Sequence, residues 1–492
     1  MIPPISRRRA LQLGGLGLAA TVVGGAGLAA AAGSRFSPTP GAELSEPAVL
    51  RSTGGLLQVR LEAAEQRVPL AGGEATILGY NGGLPGPTLR LHPGDRLRVD
   101  LANRLGEATN LHVHGLHVSP QGNGDNSFLA VQPGDTFAYE FRLPPDHPPG
   151  VYWYHPHHHG TVADQIFGGL YGAIIVDDPV SIPVTRERVL VVSDISVDDT
   201  GRIQQPSPMA QMMGREGELV LVNGQRRPRL HAGPRDRERW RIVNACTARY
   251  LRLRLDGQQM QLLGIDSGHF AEPRAVEEFV LTTGNRADLL VTTAAGTAEL
   301  RALPVDRGGM TGMMGGMMGG RGPGGTAFPT EEPVTLADLE VAGPAAVPLP
   351  AVPARAAARD LRAEPVATRR RITFAMGMGA GMGMGMTFTI DGKRFDPDRI
   401  DQLVAAGTVE EWTVVNTSPM DHPLHLHVWP MQLIARTGRP VTEPTWQDVV
   451  NVPARSDVTL RVAFDHFTGR TVYHCHVLDH EDRGMMAVLE AR

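Results

Sequence analysis

The chain alternates apolar and polar residues in short runs, each closed by Gly, Pro, Asp or Asn. Such runs lie at 56–61, 88–91, 97–101, 137–141 and 173–176, at 189–193, 240–243, 251–255 and 288–292, and at 412–415 and 458–464. Residues two apart on a strand share a face, so period two predicts half-buried β-strands. Frequent turn residues between the runs predict sandwiches. The pattern "PGDRLRVDLANRL" at 93–105 is echoed by "AGPRDRERWRIVNAC" at 232–246 and by "AGTVEEWTVVNTS" at 406–418. Each reads as a turn, a strand and then Asn. These echoes predict three copies of one β-sandwich in an all-β chain. Proline-rich breaks near 182 and between 343 and 368 divide it into units over 47–182, 183–345 and 366–492.

Composition agrees with that pattern. Gly 58 and Pro 39 make up about a fifth of 492 residues, which favours turn-rich β structure. A net charge of −5 gives no footprint for nucleic acid. The chain holds 18 His and 19 Met but only 2 Cys, which excludes a disulfide scaffold and points to a transition metal.

The N-terminus is set apart. Ser6-Arg7-Arg8-Arg9 precedes an apolar, Gly/Ala-rich run ending in small residues near Ala32. A basic start, an apolar middle and small residues at the end predict a signal peptide over 1–33. The paired arginines resemble a twin-arginine signal, which implies export machinery as a partner and a periplasmic or secreted location. No other apolar run reaches about 18 residues, so no stable membrane insertion of the mature chain is expected. Residues 34–46 read as a flexible leader.

Four histidine motifs carry the chemistry. "HVHG" holds His112 and His114; "WYHPHHHG" holds His155, His157, His158 and His159; "HPLHLH" holds His422, His425 and His427; "HCHVLDHEDRGMM" holds His474, Cys475, His476, His480 and Met485. Strand parity makes His112 and His114 converge, and likewise the pairs 155/157, 425/427 and 474/476. Eight imidazoles can hold several metal ions. Cys475 has the opposite parity and faces away. With His422, His480 and Met485 it makes a His₂Cys set with a weak axial Met, the donor set of blue copper. Zinc also suits histidine, but has no use for a lone Cys with an axial Met.

These motifs, in this order, resemble those of the multicopper oxidases, above all the three-domain bacterial laccases and copper-efflux oxidases. The resemblance covers nearly the whole mature chain. It implies three cupredoxin-like Greek-key domains and four copper ions. The type 1 copper would be held by His422, Cys475, His480 and axial Met485, and type 2 by His112 and His425. The type 3 pair would be held by His114, His155, His157, His427, His474 and His476. It further implies an enzyme that couples four one-electron oxidations to reduction of O2 to two waters. Glu481 and Asp125 resemble the family's acidic residues near the cluster, with Asp479 and Asp482 as weaker candidates. Met420 matches a substrate-copper position two before the type 1 His, and Asp421 adjoins it. "HVHG" has Val where Trp is common, and "WYHPHHHG" has Pro where Ser is common.

Two Gly/Met stretches, 310–325 and 376–386, hold ten methionines and read as mobile loops whose thioethers suit Cu(I). They favour Cu(I) as substrate, with laccase-like phenol oxidation beside it. The alternative is a copper-sequestering or envelope-structural cupredoxin without activity. His92, His117, His147, His231, His269 and His466 lack metal-like spacing. Cys246 reads as a buried thiol. The middle unit is expected to carry no ligands and to act as a spacer.

Overall fold

The computed structural model describes residues 41–70, 73–308, 332–378 and 386–492, with Met378 and Pro444 described by their backbone alone. Six sheets pair into three cupredoxin-like sandwiches. The first unit stacks a five-stranded and a four-stranded sheet; the second and third each stack six strands on five.

The three sequence echoes become the same piece of structure. Strands Arg96–Asn103, Arg237–Asn244 and Val409–Asn416 each pair in parallel with the strand that opens their unit's sheet. Each ends on an Asn that is fully or almost fully buried. Asn103 Oδ1 accepts from the Leu105 amide, Asn244 Oδ1 from Cys246 and Asn416 Oδ1 from Ser418. The three amide groups then donate to buried loop carbonyls such as Val131, Leu281 and Val452. A short side chain thus turns the chain out of the strand and satisfies backbone groups that burial would leave unpaired.

Each sandwich encloses its own apolar core. A fourth cluster joins units one and two through Val151, Trp153, Phe167, Val191 and Val243. Two expectations are corrected. Residues 41–45 are no free leader: the Gly41 and Leu44 amides donate to Arg227 and Arg229 carbonyls, so paired backbone pins the segment along unit two. The 376–386 stretch is partly strand. Met376 and Met378 end strand Thr368–Met378 and pair with Phe388 and Met386. Met376 and Met386 pack against the third core, whose burial outweighs the Gly-rich composition. The rest of that stretch, the 310–325 stretch and the 1–33 segment lie outside the described residues. None of the described helices is long and apolar enough to cross a membrane.

Candidate metal centre

Two short strands from opposite ends of the chain bring the histidines together. In unit one, strand His112–His114 pairs antiparallel with Gly150–His155, so His112 faces His155. In unit three, His422–Leu426 pairs antiparallel with Gly469–Cys475, so His425 faces His474 and Leu424 faces Cys475. Docking the two units closes one buried cluster between them. Donor atoms lie within 4.8 Å of one another in the sets His112/His114/His155, His112/His425/His427 and His157/His427/His474.

The rings aim nitrogens at one another. Nε2 to Nε2 distances are 3.3 Å for His112–His425, 3.1 Å for His157–His474 and 3.2 Å for His427–His474. The opposite nitrogens are held from behind. His112 Nδ1 donates to Asp125 at 2.8 Å, His155 Nδ1 to the Pro156 carbonyl and His425 Nδ1 to the Asp448 carbonyl at 2.7 Å. Such partners fix the tautomer that leaves Nε2 free. His476 stacks on His474, and neither of its buried ring nitrogens has a hydrogen-bond partner among the described residues. Burial, then the neighbouring imidazoles, hold His112, His155, His425, His427 and His476 below the ordinary histidine range. They are therefore neutral donors.

A second set lies beyond Cys475. His422 Nδ1 is 3.3 Å from Cys475 Sγ, and His480 Nδ1 is 3.8 Å from it and 3.3 Å from His422 Nδ1. Here Nε2 is the tethered atom: His422 Nε2 meets Ser418 Oγ at 2.8 Å, and His480 Nε2 donates to the Met212 carbonyl at 3.0 Å. Burial pushes the Cys475 thiol up. Met485 is fully buried in the same core, and its carbonyl accepts from the Cys475 amide. Phe388 stacks on His480 at 4.3 Å.

The acidic residues divide by role. Glu481 is fully buried, 3.4 Å from His157 Nε2 and 3.0 Å from His474 Nδ1, yet aligned for a hydrogen bond with neither. Burial pushes it up to about 7 and Asp125 up to about 8. Asp479 and Asp482 face away from the cluster. Asp479 clasps Arg215 of unit two, and Asp482 accepts from the Gly160 and Ala163 amides of unit one. Met420 is buried, with its backbone bridged to Gly308. The Asp421 carboxylate accepts from Asn451 and the Ala454 amide. His159 rests on Phe395, away from the donor sets. Cys246 is a buried free thiol.

Unit two supplies none of the donor sets, but it is more than a spacer. Thr283 Oγ1 donates to the His476 carbonyl at 2.6 Å, and Met212 and Arg215 hold His480 and Asp479. Arg286 reaches Asp448, which accepts from His114 Nε2 at 2.9 Å. No local spacing marks these residues. The one hint is the Gly of "HVHG", since a Cβ on Gly115 would lie 2.3 Å from Arg286.

Three family models described as multicopper oxidase match residues 62–181, 187–299 and 367–492. The solved structure of a multicopper oxidase from Campylobacter jejuni, described as a metallo-oxidase, superposes with a TM-score of 0.80 at 30% identity, covering 93% of this chain and 96% of that one. The multicopper oxidase mco of Staphylococcus aureus is 26% identical over 91% of this chain and 92% of its own. The cell division protein FtsP of Dickeya dadantii is 27% identical over 99% of both. The chain belongs to the multicopper oxidase family and is an oxidase of that class, with copper as its metal.

Proposed function

We propose that this chain oxidises four one-electron donors and reduces one O2, with four protons, to two waters. The observation that carries the reading is the set of imidazole nitrogens facing one another at 3.1–3.3 Å in a buried site. His112 and His425 each give their Nδ1 proton to an oxygen, so their facing Nε2 lone pairs repel unless a cation lies between them, and the donors fit a metal cluster. His422, Cys475, His480 and Met485 would hold the type 1 copper. His112 and His425 would hold type 2. His114, His155, His157, His427, His474 and His476 would hold the type 3 pair. Copper supplies one-electron redox chemistry at the thiolate site and oxygen binding at the cluster.

The residues do the rest. Cys475 is joined by one peptide bond to His474 and one to His476, so the two sites share a covalent link. Glu481 keeps a proton beside His157 and His474, and Asp125 holds His112 in its tautomer. Cu(I) is the favoured substrate, with phenols beside it. Met212, Met376 and Met386 pack at the third core, and the Met212 carbonyl holds the outer edge of His480. Soft thioethers packed against that core suit a cuprous ion. Met420 and Asp421 remain candidates for the same substrate. We assign domains to 47–182, 183–345 and 366–492, and export to the periplasm or beyond through the N-terminal signal.

The relation to FtsP favours a second reading, an envelope-structural protein. A complete set of ten histidines and one Cys argues for catalysis instead. The copper-loaded protein should absorb near 600 nm, bleach under reductant and recover in air, and Cys475→Ser should lose both colour and turnover. Wild-type oxygen consumption by that variant would sink the assignment.

A further inference from the structure

We propose that Arg286, from the middle unit, is a positioning residue for the cluster. It sets the tautomer of His114 by holding Asp448. This rests on the copper-cluster reading above.

His114 is turned the other way from its neighbours. His112, His155 and His425 tether Nδ1 and aim Nε2 inward. His114 tethers Nε2, at 2.9 Å from Asp448 Oδ1, and aims Nδ1 at His155 Nε2, 3.4 Å away. A carboxylate only accepts, so the proton must sit on Nε2 and the Nδ1 lone pair faces the cluster. Arg286 holds the buried carboxylate in that orientation with two parallel bonds, Nη1 to Oδ1 at 2.5 Å and Nη2 to Oδ2 at 2.6 Å. Paired forks of this kind fix direction as well as charge.

Arg286 is itself fully buried and held by all three units. Nε donates to the Val151 carbonyl of unit one, and Nη1 to Gly284 of unit two. Asp266 of unit two accepts from the Arg286, Asp448 and Val449 amides, so it sets the backbone that presents the carboxylate. Space is reserved for the fork: a Cβ on Gly115 would lie 2.3 Å from Arg286 Nη2 and 2.8 Å from Asp448. One side chain therefore reports the docking of three units to a single ring nitrogen.

The test uses Arg286→Met, Arg286→Lys and Gly115→Ala in the full chain. Readouts are copper per chain, the band near 600 nm, oxygen uptake, and the ¹⁵N resonances of the His114 ring in metal-free protein. Wild type showing neither band nor bound copper would defeat the underlying reading. With wild type normal, Arg286→Met should keep the band, lose the Nε2-protonated His114 signal and bind cluster copper roughly 10–100-fold more weakly. Arg286→Lys should recover part of that loss, because it restores charge without the fork. An unchanged His114 tautomer with full copper in Arg286→Met would overturn the proposal. Should that variant not fold, Gly115→Ala and Arg286→Lys decide by the same two readouts, and wild-type values in both overturn it.

Discussion

Gly284 lies flat against the His476 ring: a Cβ there would stand 2.8 Å from both Cε1 and Nε2, and φ is +82°. The middle unit thus forms a wall of the cluster, and glycine is required by contact and by conformation together. Gly284→Ala is expected to tilt His476, lower turnover at least tenfold and destabilise the fold by about 1–3 kcal/mol. The band near 600 nm should persist, since His422, Cys475 and His480 lie elsewhere. Oxygen uptake normalised to that band checks this; equal loss of both would refute it.

Glu481 gives a pH signature. Burial raises its carboxyl to about 7, so the protonated form is lost as pH rises through that value. Bound copper would draw the value down. Turnover should fall on the alkaline side, with a midpoint at or below 7. Glu481→Gln should slow turnover about 10²–10⁴-fold and remove that limb of the profile. A pH–rate series on both proteins decides.

Asp288 controls acid stability. Burial alone would raise it, but Arg239 and Arg241 outweigh that and hold it well below the carboxylate range. A depressed carboxyl stabilises above its unfolded value near 4, and this contribution fades as pH falls through the native value. Urea midpoints of wild type should therefore drop below about pH 4. Asp288→Asn should cost about 1–3 kcal/mol at pH 7, because it takes away one of the two carboxylates that hold the buried Arg239, leaving Asp178. It should also show a shallower acid slope. Parallel slopes would count against the assignment.

Substrate choice can be read at the methionines packed against the third core. Leucine at positions 212, 376 and 386 keeps the packing and removes sulfur. Because residues 376–378 and 386 are strand, substitution is a cleaner probe than deletion. The triple variant should lose about tenfold in kcat/KM for Cu(I) and less than twofold for a dimethoxyphenol. Matching losses would end the case for a thioether route.

Strands were legible because one apolar face leaves a period of two, and the echoed Asn was legible because each unit reuses it. The histidines and Cys475 were legible because strand parity and a short loop place them locally. Asp448 and Arg286 were not. His114 and Asp448 stand 334 residues apart, and Arg286 serves an element of another unit, so no window of sequence contains the relationship. Glu481 could be nominated by adjacency to a ligand, and Asp125 by the resemblance of its place after the first motif. Asp479 and Asp482 share that adjacency, yet point to other units, since a helix turns neighbours to different faces.

That short helix, Leu478–Asp482, has one more consequence. Within five residues it carries a proposed copper donor, the acid beside the cluster and the clasps to both other units. The imidazole cluster can therefore close only after the chain's ends have met across its middle. Metal uptake by that cluster would be a certificate of finished assembly, because a half-built molecule lacks half of its imidazoles.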